Sequence, residues 1–201
     1  ITENNFISTT PSVESLNNTS LQRNTTRPVL DYNTSSSLHF IVRSGSYEAR
    51  VSNYSGGSIV NFKMTDSKKD SYKYLGGYND SGEYEEGVNL DLALPLDQYC
   101  SPCINYNDTI LLDHPFQIIS PRGLYANETI NLGIGDSLVV VMETVVDNQP
   151  IRKTTTFYGD SYLIKHDYSL GSLSDRFFVL WDSGMRTTEK NLFEELTYSQ
   201  A

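Results

Sequence analysis

The sequence predicts an all-β fold: a sandwich or jelly-roll-like domain over residues 37–201, with one short C-terminal helix and an extended N-terminal arm. Three observations carry this expectation. From Leu38 onward, short apolar runs succeed one another, and some alternate strictly, as in Val88-Asn89-Leu90-Asp91-Leu92-Ala93-Leu94. That period of two marks a strand with one buried face. Turn-forming clusters separate the runs, among them Ser55-Gly56-Gly57, Gly76-Gly77, Asp80-Ser81-Gly82, Pro121-Arg122-Gly123, Asp147-Asn148-Gln149-Pro150 and Gly159-Asp160. Tyr, at 14 residues, outnumbers Phe at 8, and Tyr suits half-buried strand surfaces. Many short strands at this spacing fit a sandwich, a jelly roll or a barrel.

Residues 1–36 stand apart. They are dominated by Asn, Ser and Thr, hold no sustained apolar period, and cannot offset the entropy of ordering. They are read as a flexible, glycan-bearing arm, in which Pro28-Val29-Leu30 is able to dock as an edge strand. Strands are predicted over 38–43, 46–54, 58–64, 88–94, 104–112, 116–119, 137–146, 151–158, 161–168 and 176–181. Near the C-terminus, Thr188 is placed to cap a helix whose first turn carries Glu189. Leu192, Phe193 and Leu196 would share its buried face, with Lys190 and Glu194 paired at i,i+4 on the other.

A net charge of −10 and a pI near 4.7 argue against nucleic acid, which needs clustered Lys and Arg. The densest basic spot, Lys68-Lys69, is flanked by Asp66 and Asp70. No apolar run approaches the roughly 20 residues that span a bilayer, so a membrane anchor is expected only outside this chain. The start at Ile1 reads as a mature or trimmed form whose targeting segment is gone.

Eight N-x-Ser/Thr sequons begin at Asn17, Asn18, Asn24, Asn33, Asn53, Asn79, Asn107 and Asn127. Sixteen Asn and 41 Ser or Thr among 201 residues would give about three by chance. The excess points to a secretory route, and each used site belongs on the surface.

Cys100-Ser101-Pro102-Cys103 is the one cysteine pair in the sequence. A redox C-x-x-C needs a helix starting at its first Cys, whereas a strand is predicted to follow here. A structural zinc site wants four ligands, and His39, His114 and His166 are irregularly spaced. A local disulfide bracing a tight turn in an oxidising compartment is the better reading. Gly135-Asp136-Ser137-Leu138 resembles the block of the GDSL-type hydrolases, and Gly159-Asp160-Ser161 repeats part of it. That family's Asp-x-x-His is missing, since His166 has no Asp three residues before it, and Ser137 has no evident base. A turn launching a strand explains the block better, so no catalytic residue is assigned. The stretch from Asn79 to Glu86 lacks the spacing of an EF-hand loop and reads as a solvated acidic hairpin tip. No metal and no cofactor are expected.

Tyr72, Tyr74, Tyr78 and Tyr84 form a possible recognition surface beside the acidic tip, with Tyr72 and Tyr74 on one strand face. The combined expectation is a non-enzymatic ectodomain of a secreted, cell-surface or virion glycoprotein. It would act in adhesion, attachment or partner-protein binding. The alternatives are a lectin-like carbohydrate-binding module and a structural subunit of a larger surface complex, which exposed apolar strand edges and self-association would favour. A secreted hydrolase around Ser137 or Ser161 is the weakest reading. Because glycans shield surfaces, the sequon-free strands over 137–182 are the better candidates for contact.

Overall fold

The computed structural model describes residues 37–66, 69, 71–79, 81–93, 101–106, 110–112, 114–172, 177–181, 185–188 and 190–191. The proposed arm over 1–36 lies outside them, with sequons Asn17, Asn18, Asn24 and Asn33 and, further on, Asn107.

The regular structure of the described residues is nearly all β. Its first sheet contains β1 (His39–Arg43), β2 (Tyr47–Ser52), β3 (Ser58–Asp66) and β4 (Ser71–Tyr72), with β10 (Thr129–Asn131) parallel to β1 at the far edge. The second sheet orders β13 (Ile164–Ser169), β12 (Gln149–Tyr158), β11 (Ser137–Val146) and β9 (Gln117–Ser120), all antiparallel. A three-stranded sheet runs β14 (Phe177–Leu180), β7 (Cys103–Tyr106), β8 (Ile110–Leu111). β5 (Leu75–Tyr78) and β6 (Tyr84–Asn89) form a hairpin.

Alternation explains the packing. Phe40, Val42, Tyr47, Ala49, Val51 and Ile59 of the first sheet are buried with Val140, Met142, Ile151 and Phe157 of the second, and Ile104, Leu112 and Phe116 complete the cluster. Two pleated sheets each turn their apolar parity toward the other, the arrangement of a sandwich. The Tyr47 hydroxyl crosses the layer and donates to the Tyr158 carbonyl at 3.3 Å. β11 and β12 pair over ten residues each, joined by Asp147 and Asn148, both at positive φ as a two-residue type I′ turn requires.

Several expectations shift. The predicted strand 88–94 is displaced: β6 ends at Asn89, and the Asp91 carboxylate accepts the Phe62 and Ala93 amides at 2.8 and 3.0 Å, which diverts the ladder. The single strand expected over 104–112 is two antiparallel strands, β7 and β8, and residues 107–109 between them lie outside the described residues. None of the predicted strand spans covers β10, and β4 and β5 lie on either side of Tyr74 where one strand through Tyr72 and Tyr74 is expected. The C-terminal helix is not shown: Thr188, Lys190 and Asn191 are not helical, and Glu189 and 192–201 lie outside the described residues.

Candidate functional site: an apolar cavity in the sequon-free strands

The four tyrosines do not form one surface. The predicted common strand for Tyr72 and Tyr74 is interrupted, because β4 ends at Tyr72 and β5 starts at Leu75 in a different sheet. The Tyr72 hydroxyl donates to the Glu48 carboxylate at 3.1 Å, with Lys63 over its ring. Burial, then the Glu48 charge, raise its pKa. Tyr74 sits half-buried under Lys73. Tyr78 and Tyr84 do meet, edge to face with centroids 5.3 Å apart. Beside them opens a polar cleft of about 400 Å3 lined by Asn79, Glu85, Asp91 and Arg186. The Arg186 guanidinium closes one wall by donating to the Tyr78 carbonyl at 2.6 Å and the Ala93 carbonyl at 3.0 Å. Asp91 is pushed up by burial, against the two amides it accepts. The acidic segment is a hairpin tip as the sequence suggests: the Asn79 side chain accepts the Ser81 and Glu83 amides, both at 2.9 Å.

The sequons separate sharply. Asn127 is exposed at a turn with φ 61°, and its Oδ1 accepts from Arg50 at 3.4 Å. Asn79 is half-exposed, with Nδ2 donating to Glu85 at 2.8 Å. Asn53 is 3% exposed, and the surface position expected for it is corrected. Its Oδ1 accepts the Leu38 amide at 2.8 Å and its Nδ2 donates to the Phe116 carbonyl at 3.0 Å. A sugar on that nitrogen has no room unless this junction opens. Of the cysteine pair, Cys103 is buried at the head of β7, and Cys100 falls outside the described residues.

The hydrolase-like block is a turn. Asp136 accepts the Gly133 amide at 2.8 Å through its carboxylate and the Gly159 amide at 2.9 Å through its carbonyl. Ser137 is exposed at the start of β11, paired with Tyr158 in register. His166 pairs with Thr155, one strand further over and three positions along, so it is no base for Ser137. Ser161 accepts the Leu163 amide at 3.1 Å.

A second cavity, of about 250 Å3, opens where Ile59 and Phe62 of β3 face His166 and Ile164 of β13 and the residue after β14, Trp181. Tyr162, Leu163, Leu92 and Met185 also line it. Its rim is unusually apolar for a surface: Trp181 is 58% exposed, Leu163 59% and Met185 69%. The Trp181 ring stands edge-on to His166 at 6.4 Å. Burial, then the positive charge of Lys153 behind it, push the His166 pKa down to about 3, so the imidazole is neutral across physiological pH. Its Nδ1 lies 3.2 Å from the Thr155 hydroxyl.

Lys153 was not singled out from the sequence. It is fully buried and reaches the carbonyls of Gly57 at 3.2 Å, Pro102 at 3.4 Å and Ser55 at 3.5 Å, with the Tyr168 ring 5.5 Å away. Among the described residues no carboxylate pairs with it. Burial lowers its pKa to about 7. The signal was present in the parity of β12, where Lys153 shares the face of Ile151, Thr155 and Phe157.

No protein-family model, no curated protein and no solved structure matches this chain.

Proposed function

We propose that this chain is a non-enzymatic ectodomain of a secreted, cell-surface or virion glycoprotein that acts by binding a partner protein. The observation that supports this best is the apolar cavity beside Trp181. Its Tyr162, Leu163, Ile164, His166 and Trp181 all fall within 137–182, the span without sequons. A concave, aromatic-rimmed apolar site beside a polar surface suits the side-chain anchor of a partner. The sequon excess supports the secretory route, and the exposure of Asn127 leaves a glycan free to shield a different face.

The test is a glycan placed at the rim. Ser161→Asn with Leu163→Thr creates a sequon there, and Asn keeps an acceptor for the residue-163 amide. Binding of the labelled protein to cell surfaces should fall at least about tenfold, the loss expected when a central anchor site is covered. Unchanged binding by a variant shown to carry the added glycan would sink the proposal.

A carbohydrate-binding reading is favoured by one observation, the Tyr78–Tyr84 pair beside the Glu85- and Asp91-lined cleft. A glycan-array signal lost on Tyr84→Ala but kept in the rim-glycan variant would put the function there instead.

A further inference from the structure

Tyr125 is the most exposed aromatic side chain among the described residues, at 73%. Its neighbour Leu124 packs against the core. The Tyr125 ring meets no other ring among the described residues, and its hydroxyl makes no hydrogen bond there. A single apolar group at the surface is ordinary by itself. What sets this one apart is the residue two positions on, Asn127, whose sequon Thr129 completes.

A braced turn holds Tyr125 and Asn127 together. The Glu128 amide donates to the Tyr125 carbonyl at 3.2 Å, and the Glu128 carboxylate accepts the Tyr125 amide at 2.9 Å. The same turn is docked on the start of the first sheet. Asn127 donates its amide to the His39 carbonyl at 2.7 Å, and the Glu128 carbonyl accepts the Ile41 amide at 2.8 Å. With one residue between them, the Cα atoms of Tyr125 and Asn127 are at most about 7 Å apart. The Asn127 Oδ1 accepts from Arg50 at 3.4 Å, and among the described residues no hydrogen bond occupies its Nδ2. Thr129 is exposed and stands opposite Ile41, which in turn stands opposite Arg50. Phe40 and Val42 face the core, so this row lies on the outer face of the first sheet.

We propose that the Tyr125 ring is a platform on which the first sugar of an N-glycan at Asn127 stacks, so that this glycan braces the fold that carries it. A pyranose presents a face of C–H groups, and the negative face of an aromatic ring suits their slight positive charge. The turn is already fixed, so the contact has only one ring and one sugar left to order. The glycan itself arrives by the ordinary transfer from a lipid-pyrophosphate donor in the secretory lumen. The C1–O bond to the pyrophosphate breaks, an Nδ2–C1 bond forms, the nitrogen gives up one proton, and the lipid pyrophosphate leaves. The inference rests on the secretory part of the proposed function, and goes beyond it by making one glycan a structural element.

The experiment compares the full chain with Tyr125→Ala, Tyr125→Phe, Thr129→Ala and the double variant Tyr125→Ala with Thr129→Ala. Each is made in cells that attach high-mannose N-glycans, trimmed enzymatically to the first sugar, and made again in bacteria without glycans. Glycopeptide mass gives occupancy at Asn127, and thermal melts give stability. In the glycosylated set, Tyr125→Ala should lower the melting temperature by about 2–4 °C, the shift expected for one ring contact in a chain of this size. Tyr125→Phe keeps the ring and should melt with the wild type. Without the glycan, whether in bacterial protein or on the Thr129→Ala background, Tyr125→Ala should leave the melting temperature unchanged. Proton NMR should show ring-current shifts of the first sugar that Tyr125→Ala removes. An equal effect of Tyr125→Ala with and without the sugar, or none in either, overturns the proposal. So does an unmodified Asn127 in a chain that carries glycans at other sequons, which leaves the secretory reading standing. A chain with no glycan at any sequon sinks both.

Discussion

Lys153 shows how far a single side chain can depart from its type. An ammonium that exchanges water for three carbonyls at 3.2 to 3.5 Å and a ring face has lost more hydration than it regains. Burial consequently lowers its pKa to about 7. The unfolded chain keeps this proton up to about pH 10.4, so between about 7 and 10 it binds more protons than the folded one. Stability should therefore rise with pH across that window, by up to about 1.4 kcal/mol per unit from this group. Below pH 7 both states hold the proton and its contribution is flat. Near pH 10 a second effect opposes it. Burial raises Tyr47 to about 12 and Tyr168 higher still, so unfolding lets them ionise sooner. Chemical denaturation of Lys153→Met from pH 7 to 9.5 should show the rise flattened relative to wild type. An unaltered slope would mean that Lys153 does not titrate in this range.

At the scale of elements, the tight turns decide where strands begin. Gly159 packs its backbone so closely on the Gly133 carbonyl that a Cβ there would lie 1.9 Å from the oxygen. With Asp136 accepting the Gly159 amide, this close approach joins the β10–β11 turn to the end of β12. Gly159→Ala should cost at least about 2 kcal/mol, since backbone rather than a flexible side chain must give way. Ser137→Ala, an exposed change beside the same turn, should leave the melting temperature unchanged, and esterase assays of both proteins should show no difference. A hydrolytic activity abolished by Ser137→Ala would restore the catalytic reading. The strand run 137–146 was legible because the apolar run Leu138–Met142, rich in Val, lies between turn residues at Gly135-Asp136 and Asp147-Asn148. The strand expected over 88–94 was not, although its alternation is stricter. Asp91 sits at a polar position in the pattern, yet its carboxylate takes the amides that a ladder would use. A period of two reports which face a residue would occupy, and says nothing about whether a partner strand is there.

For the whole molecule, Asn53 matters more than its sequon suggests. It holds together the start of β1, the end of β2 and the segment before β9: its backbone exchanges bonds with Leu38 and Phe116 at 3.0 and 2.8 Å, and its side chain bonds both again. Asn53→Ala leaves an amide and a carbonyl without partners in a closed site, which should cost about 2–4 kcal/mol in denaturant unfolding. Glycopeptide mapping of secreted protein should find Asn53 unmodified and Asn127 occupied. A glycan on Asn53 of folded protein would contradict the packing around it.

The sequence by itself determined the class. Strand parity, turn residues and the two-sided apolar pattern are local properties, and they specify an all-β sandwich whichever strands pair. It also set the charge, the sequon excess and the parity that puts Lys153 inward with Ile151 and Phe157. Only the tertiary structure decided what closes around a given position. Two residues with the same sequon signature, Asn53 and Asn127, end respectively inside a three-way junction and on an exposed turn. Tyr72 and Tyr84 part company for the same reason. The cavity beside Trp181 is made by residues more than a hundred positions apart, from Ile59 to Met185. Burial and cavities are sums over neighbours brought in by long-range strand pairing, and a local pattern does not contain those neighbours.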